Sequence, residues 1–514
     1  MAISWQTEAT GSPSPILSEQ VPLLVRHPLS SVSRTFANLV LAIIGSGVLG
    51  LPYTFRTVGW VMGILALVLS GAIVYHGQML QVYSKHRLQL SRGTHLVIAS
   101  FGDLMFHTFG PWARLAIDVM LTLSSFSGAI SYIMFISQNV ASVASGVESM
   151  HTLSSTVLPF ARDTPLVYAI PSQASRISGD SFSHSLEQAD RAQALYSFLQ
   201  HPHESLPGSN ANVQSLSSVA GRKGLMALIS SSTNASCSAQ FGGLNWSSSS
   251  TYAWLTFPLE VALAAIPSVT LLAPLSLLAD ALNLGALGTI MVSDVMKITK
   301  SFTYANMQAI KSMVAVPSAF GVGVYAFHSS AIIIPIEAAM KEPLKLGSVM
   351  EMAIVFSGVV YVVFAMLGYA AFGESTLQVI TLNLQSGMEA LLVKSAISIA
   401  LFFAIPLVLN PAFELVERRF SQRRLSLALR TLLVFVVCLL ATTVKQFTVF
   451  ISLVGSSISC LVGFIIPAAV HIKVMREDDH NSTRSLIFFA DILLISFGLA
   501  FGAFGTTISF IELF

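Results

Sequence analysis

Three glycines and a proline interrupt the apolar stretch AIIGSGVLGLPY at residues 42–53, with Gly45, Ser46, Gly47 and Val48 at its centre. A helix that breaks there leaves backbone N–H groups without intrahelical partners, and the half-helix that follows points the positive end of its dipole at the gap. Bare amides, one serine hydroxyl and little side-chain bulk suit the capture of a carboxylate. A second interruption lies in GVGVYAFHSSAIIIPIE at 321–337, where Gly321, Gly323, His328, Ser329, Ser330 and Pro335 fall in another apolar run. Phe327 and the carbonyls beside it would bound the ammonium and side chain of a zwitterion. Ser329 adds a hydroxyl. His328 offers an imidazole, either as a proton acceptor that responds to an acidic compartment or as a neutral ring that hydrogen-bonds the unwound backbone. A plainer reading competes with both: glycine in an apolar helix often only lets helices pack closely.

The elements that carry these residues follow from composition. Of 514 residues, 54% are hydrophobic and 10% charged, against roughly a quarter charged in soluble domains. About eleven apolar runs recur, near 36–56, 60–83, 113–143, 251–269, 272–294, 313–340, 349–372, 387–415, 425–443, 446–472 and 485–512. Most are long enough to cross ~30 Å of hydrocarbon as helices. The fold class is therefore an all-α polytopic membrane protein of about eleven transmembrane helices. Unsatisfied peptide groups in lipid cost several kcal/mol each, so a broken span survives only inside protein or beside a watery cavity. The two breaks fall in spans one and six. Two five-span halves, each opening with a broken helix, make the 5+5 pattern of an inverted repeat.

Four regions follow: a tail at 1–30, spans one to three at 31–150, a serine-rich insert at 151–250, and spans four to eleven at 251–514. The tail lacks periodicity and is expected to be disordered. Its Glu19–Leu24, EQVPLL, fits an acidic dileucine sorting signal. Lys85, Arg87, Arg92, Lys341, Lys345, Arg418, Arg419, Arg423, Arg424, Lys473, Arg476 and Arg484 collect on one side of the threading, which places that side and the N-terminus in the cytosol. The insert then faces a lumen or the exterior, and it holds the glycosylation sequons at Asn234 and Asn245. The sequon at Asn481 falls on the cytosolic side and should stay unmodified.

Other chemistries find little support. A net charge of +2 offers no nucleic-acid surface, and three cysteines give no disulfide framework. No Gly-Lys-Ser phosphate loop occurs. His201, His203 and Glu204 lack a helix-spaced partner, so no metal, cofactor or enzymatic activity is expected. Asp118 follows Arg114 at i,i+4 spacing, as a structural pair would. Asp280 is an intramembrane carboxylate. Ser124, Ser127 and Tyr132 are further candidates to face a solute, and Glu337 and Glu414 sit near span ends where they are expected to reach water.

TFANLVLAIIGSGVLGLPYTF at 35–55, followed by GWVMG, resembles the first-helix signature of the amino acid/auxin permease family, and more closely its plant vacuolar neutral amino-acid transporters. LAPLSLLADALNLGALGTIMVSDV (272–295), YAFHSSAIIIPIEAAMK (325–341), LNPAFELVERRF (409–420) and FISLVGSSISCLVGFIIPAAVH (450–471) extend the resemblance over nearly all of the chain outside the tail and the insert. It implies an eleven-helix LeuT-type fold and secondary active transport of amino acids, usually coupled to protons. Relatives commonly have Phe-Glu-Gly where this chain has Phe327-His328-Ser329. Sodium-coupled branches often carry Asn at the position of Leu41, which points away from sodium here, although Asn38 one turn back could supply an oxygen. His328 and Asn38 are thus the coupling candidates.

The expectation is a monomeric carrier of neutral amino acids, with protons and the lipid bilayer as its other partners, in the vacuolar membrane. Alternatives are a plasma-membrane importer of auxin or amino acids, and a receptor that senses an amino acid without moving it.

Overall fold

The computed structural model describes residues 30–92, 96–163, 248–266, 269–301, 307–384, 387–420, 423–476 and 484–513. The tail with its dileucine motif, His201, His203 and Glu204, and the sequons at Asn234, Asn245 and Asn481 lie outside them. Among the described residues the chain is helical, and its extended pairing is limited to one bridge between Ser30 and Met340.

The elements are α1 (Val32–Ile43), a 3₁₀ turn at Ser46–Gly50, α2 (Leu51–Val58), α3 (Trp60–Arg92), α4 (Phe101–Phe109) and α5 (Pro111–Asp163). After the insert come α6 (Ser249–Ala264), α7 (Val269–Ser301), α8 (Val316–Phe327), α9 (Ile333–Ala339), α10 (Leu346–Phe372), α11 (Met388–Phe420), α12 (Arg423–Thr443) and α13 (Phe447–Val454). Two π-helical turns, Gly455–Ser459 and Leu461–Ile465, join α13 to α14 (Ile466–Arg476), and α15 (Arg484–Leu513) ends the fold. Among the described residues seven helical segments are long and apolar enough to cross a membrane, and eight if the bent pair Val32–Ile43 and Ser46–Val58, kinked by 45°, counts as one. Large apolar side chains such as Val68, Val355, Val359, Leu493 and Phe504 stand on the outside. A surface of that kind belongs in hydrocarbon, and the chain is a polytopic membrane protein.

Two groups of helices surround the breaks. In one, α10 packs against α1, α2 and α3, while α8 packs against α3 and α13. In the other, α11 lies along α5 and α7, and α12 lies along α5 and α6. Backbone hydrogen bonds at one end and ion pairs at the other tie the elements together. At the end rich in basic residues, Ser30 N–H donates to Ala339 O (2.8 Å) and Lys341 N–H to Ser30 O (3.0 Å), so the start of α1 is pinned to the end of α9. At the opposite end Arg56 and Lys311 both pair with Glu374.

Candidate functional site

The first break forms much as the residue types suggest, with one difference. Ser31 caps α1 by accepting from Arg34 N–H, and the helix runs to Ile43. Ile44 and Gly45 then leave helical geometry, and the chain re-enters a helix through the 3₁₀ turn. Pro52 does not break anything: it sits in the first turn of α2, where a missing N–H costs nothing and a fixed φ favours starting. Ser46 and Val48 are buried, with Ser46 only 2% exposed.

The second break is displaced from its glycines. α8 ends at Phe327, and residues 328–332 are non-helical until α9 begins. Gly321 and Gly323 lie inside α8, where they admit close neighbours; a side chain at Gly323 would collide with Ser70. Pro335 falls in the first turn of α9, a tolerated place.

The two breaks lie against each other. A Cβ placed on Gly47 would be 3.0 Å from the Cα of Ala326, so only a glycine lets these backbones meet. Tyr361 of α10 reaches both: its hydroxyl lies 2.7 Å from Ile43 O and 3.2 Å from Ala326 O. Both carbonyls end half-helices, where intrahelical donors have run out. Asn283 of α7 donates to Ile44 O (3.3 Å). On the α5 side, Ser131 Oγ stands 3.1 Å from Ser46 Oγ and 2.9 Å from Tyr325 Oη, linking the two breaks a second time. The Tyr132 hydroxyl lies beside Gly45.

The residues that meet across the breaks are Gly47 and Ser46 on one side and Tyr325 and Ala326 on the other, while the candidates Phe327, His328 and Ser329 follow directly after that contact. Phe327 is fully buried and tilts against Tyr361, centroids 5.2 Å apart, with its ring resting on Gly71 and Gly358. It thus faces α3 and α10. Ser329 accepts from Gln78 Nε2 (2.9 Å). The Nδ1 atom of His328 is buried without a hydrogen-bond partner among the described residues. Asn38 stands apart, on the exposed face of α1. Tyr361, Ser131, Asn283 and Gln78 are the site residues that sequence reading misses.

Carboxylates elsewhere sort by their partners. Arg114 lies 3.2 Å from Asp103 and 3.8 Å from Asp118, as the i,i+4 spacing predicts. Glu337 departs from the expectation that it reaches water. Its side chain is 2% exposed and is met by Lys85 Nζ at 2.9 Å and by His86, both from α3. Among the described residues no three His, Cys, Asp or Glu side chains gather as metal ligands.

A cavity of about 230 Å³ opens beside the breaks, lined by Tyr53 and Thr57 of α2, Ser318 and Val322 of α8, and Thr448 of α13. It lies toward the end opposite the basic residues. Half-helices tied through their terminal carbonyls inside a polytopic helical chain are the kind of broken spans that membrane transport proteins use.

The chain belongs to the transmembrane amino acid transporter protein family, whose profile matches residues 29–168 and 214–511. It is similar to amino acid transporter AVT3C of Arabidopsis thaliana, 32% identical over 518 residues that cover 100% of this chain and 99% of that one. Amino acid transporter AVT3B of the same plant is 33% identical, covering 96% and 97%. Vacuolar amino acid transporter 4 of Saccharomyces cerevisiae is 23% identical over 77% of this chain and 42% of its own length.

Proposed function

We propose that this protein moves neutral amino acids across the vacuolar membrane by alternating access, driven by the pH gradient. The observation that carries the reading is the abutment of the two breaks, with Tyr361 spanning 2.7 Å to Ile43 O and 3.2 Å to Ala326 O. The substrate carboxylate takes the amides that open the Ser46–Gly50 turn, assisted by the Ser46 hydroxyl. The ammonium meets the carbonyls that end α8. Phe327 backs the Tyr361 ring that spans the two breaks, and His328 hydrogen-bonds the bound solute. The absence of an acidic side chain from Gly45–Val48 and Phe327–Ser330 favours neutral substrates over lysine or arginine.

Eleven spans in a LeuT-type 5+5 repeat fit the helices. To the eight spans counted with α1 and α2 joined are added α6, α12 and the broken pair α8 and α9. The basic end is cytosolic in this reading, the N-terminus with it, and the 230 Å³ cavity is the lumenal vestibule. The name of the yeast relative, a vacuolar amino acid transporter, supports a vacuolar membrane. The protein acts as a monomer.

Counterflow in liposomes tests this directly. Purified protein is offered a panel of radiolabelled amino acids, with and without an imposed pH gradient. Exchange of neutral amino acids, and their accumulation when the gradient is applied, are expected. Binding without any exchange would instead make the protein a receptor.

A further inference from the structure

We propose that His471 and Asp491, far from the two breaks, form the proton-binding pair of this carrier. The inference rests on the reading above, that the chain is a proton-driven amino-acid carrier.

His471 lies on α14 and Asp491 on α15, and Nδ1 of the one is 2.6 Å from Oδ2 of the other. Both residues are under 5% exposed. Two apolar side chains of similar volume would hold these helices together as well or better, because ionisable groups are costly to bury. An imidazole and a carboxylate kept inside a membrane span are therefore more useful as a site than as glue. The pair has two protonation states on one geometry. With the imidazole neutral it carries a net charge of minus one. With one proton added to the imidazole it becomes a neutral ion pair across the same hydrogen bond.

The surroundings are ionisable too. From α3, the ring edge of Tyr83 meets His471, centroids 5.1 Å apart, and Arg87 Nε donates to the Tyr83 hydroxyl at 2.7 Å. His76, also on α3, is near enough for its charge to interact with both members of the pair. α4, which touches α14 as well, directs Asp103 to Arg114 and sets His107 against Phe106. Lys473 and Arg476 follow His471 on the same helix, so the pair sits roughly 7 Å inside the basic end, at about 1.5 Å per residue.

A physical link joins the pair to the breaks. α14 continues through the π-helical turns to α13, which lines the cavity through Thr448 and Val449. At the junction Gly455 lies directly on Gly321 of α8, backbone to backbone. Along these helices Ser456 and Ser459, and Gln81 and Ser84 of α3, bury polar atoms without a hydrogen-bond partner among the described residues. Buried polar atoms of this kind are the ones that internal water satisfies in proteins, and a chain of such waters passes protons. Neutralising the pair changes how readily α14 shifts against α3 and α15, and so couples one proton to the state of the breaks.

The test uses full-length protein in liposomes and the best neutral amino acid from the counterflow panel. Three signals are read: counterflow without a gradient, accumulation under a gradient, and proton flux evoked by substrate. Asp491→Asn and His471→Gln are expected to keep counterflow within about twofold and to lose gradient-driven accumulation by about tenfold or more, in the range of typical coupling energies. Evoked proton flux should vanish in both and partly return in Asp491→Glu. Wild-type accumulation and proton flux in both variants overturn the proposal. A parallel loss of counterflow and accumulation, with a lowered melting temperature, also overturns it by making the pair structural. Wild-type counterflow without proton flux overturns it while leaving the carrier intact, whereas a wild-type protein with no counterflow fails the carrier reading itself.

Discussion

The Tyr361 hydroxyl donates to the Ile43 carbonyl across 2.7 Å, from a residue 318 positions away in sequence. Its second neighbour, Ala326 O at 3.2 Å, belongs to the other broken span. One proton serves two acceptors, so the bond can pass from one half-helix to the other as they separate. Tyr361→Phe keeps the ring against Phe327 and removes the hydroxyl. Ile43 O keeps its bond from Gly45 N–H (2.8 Å), so Ala326 O is the acceptor that loses its donor. A buried carbonyl left unpaired costs about 1–3 kcal/mol, and ~1.4 kcal/mol is tenfold in rate. Uptake should therefore fall roughly tenfold at unchanged abundance. Uptake at the wild-type rate would remove Tyr361 from the site.

Gly47 gives a sharper steric case. Its Cβ position is 3.0 Å from the Ala326 Cα and 3.2 Å from the Tyr325 ring. Gly47→Val must push the two half-helices apart and should abolish uptake. Gly285 has nothing within 4 Å of the same position, so Gly285→Ala should transport normally and serves as the matched control. Surface abundance by immunoblot separates lost transport from lost protein.

The first break is legible in the residues themselves, because three glycines and a proline crowd into one short apolar stretch. The break in span one falls where Gly45 marks it. In span six the marks mislead: Gly321 and Gly323 permit close packing, and the chain unwinds only from His328. What ties the breaks is not legible at all. Tyr361 sits in VVYVVF, a run with no local sign that its hydroxyl caps a carbonyl elsewhere. Glu337 fails for the same reason. Its position near a span end suggests water, but Lys85 meets it from 252 residues away. Long-range polar partners leave no periodicity to read.

That buried ion pair makes its own prediction. Glu337 and Lys85 have side chains 2% and 10% exposed, with His86 as a third member. Removing one charge strands the other in a dry place, which costs about 3–5 kcal/mol. Glu337→Gln and Lys85→Met should each lower the melting temperature in detergent. The double variant should be more stable than either single one, since it strands less charge. Additive losses would show that the two side chains do not interact.

The threading of the chain is tested by its sequons. If the basic end is cytosolic, the insert is lumenal and Asn234 and Asn245 carry glycans. Endoglycosidase should then shift the wild-type band, and Asn234→Gln with Asn245→Gln should abolish the shift. Asn481→Gln should change nothing. A shift that depends on Asn481 would invert the orientation.

His328 separates the two places where a proton could act. Its Nδ1 is buried beside the span-six break without a hydrogen-bond partner among the described residues. In the reading above it hydrogen-bonds the solute, and the transported proton binds at His471 and Asp491. His328→Gln keeps a polar group of similar reach but cannot take up a proton near neutral pH. Its KM should rise severalfold, about the loss of one hydrogen bond, while the pH profile of uptake keeps its shape. Asp491→Asn should do the reverse, leaving KM for counterflow near its original value and flattening the pH profile. The pair of profiles is decisive because each variant is the control for the other. A profile flattened by His328→Gln and unmoved by Asp491→Asn would put the coupling proton at the break.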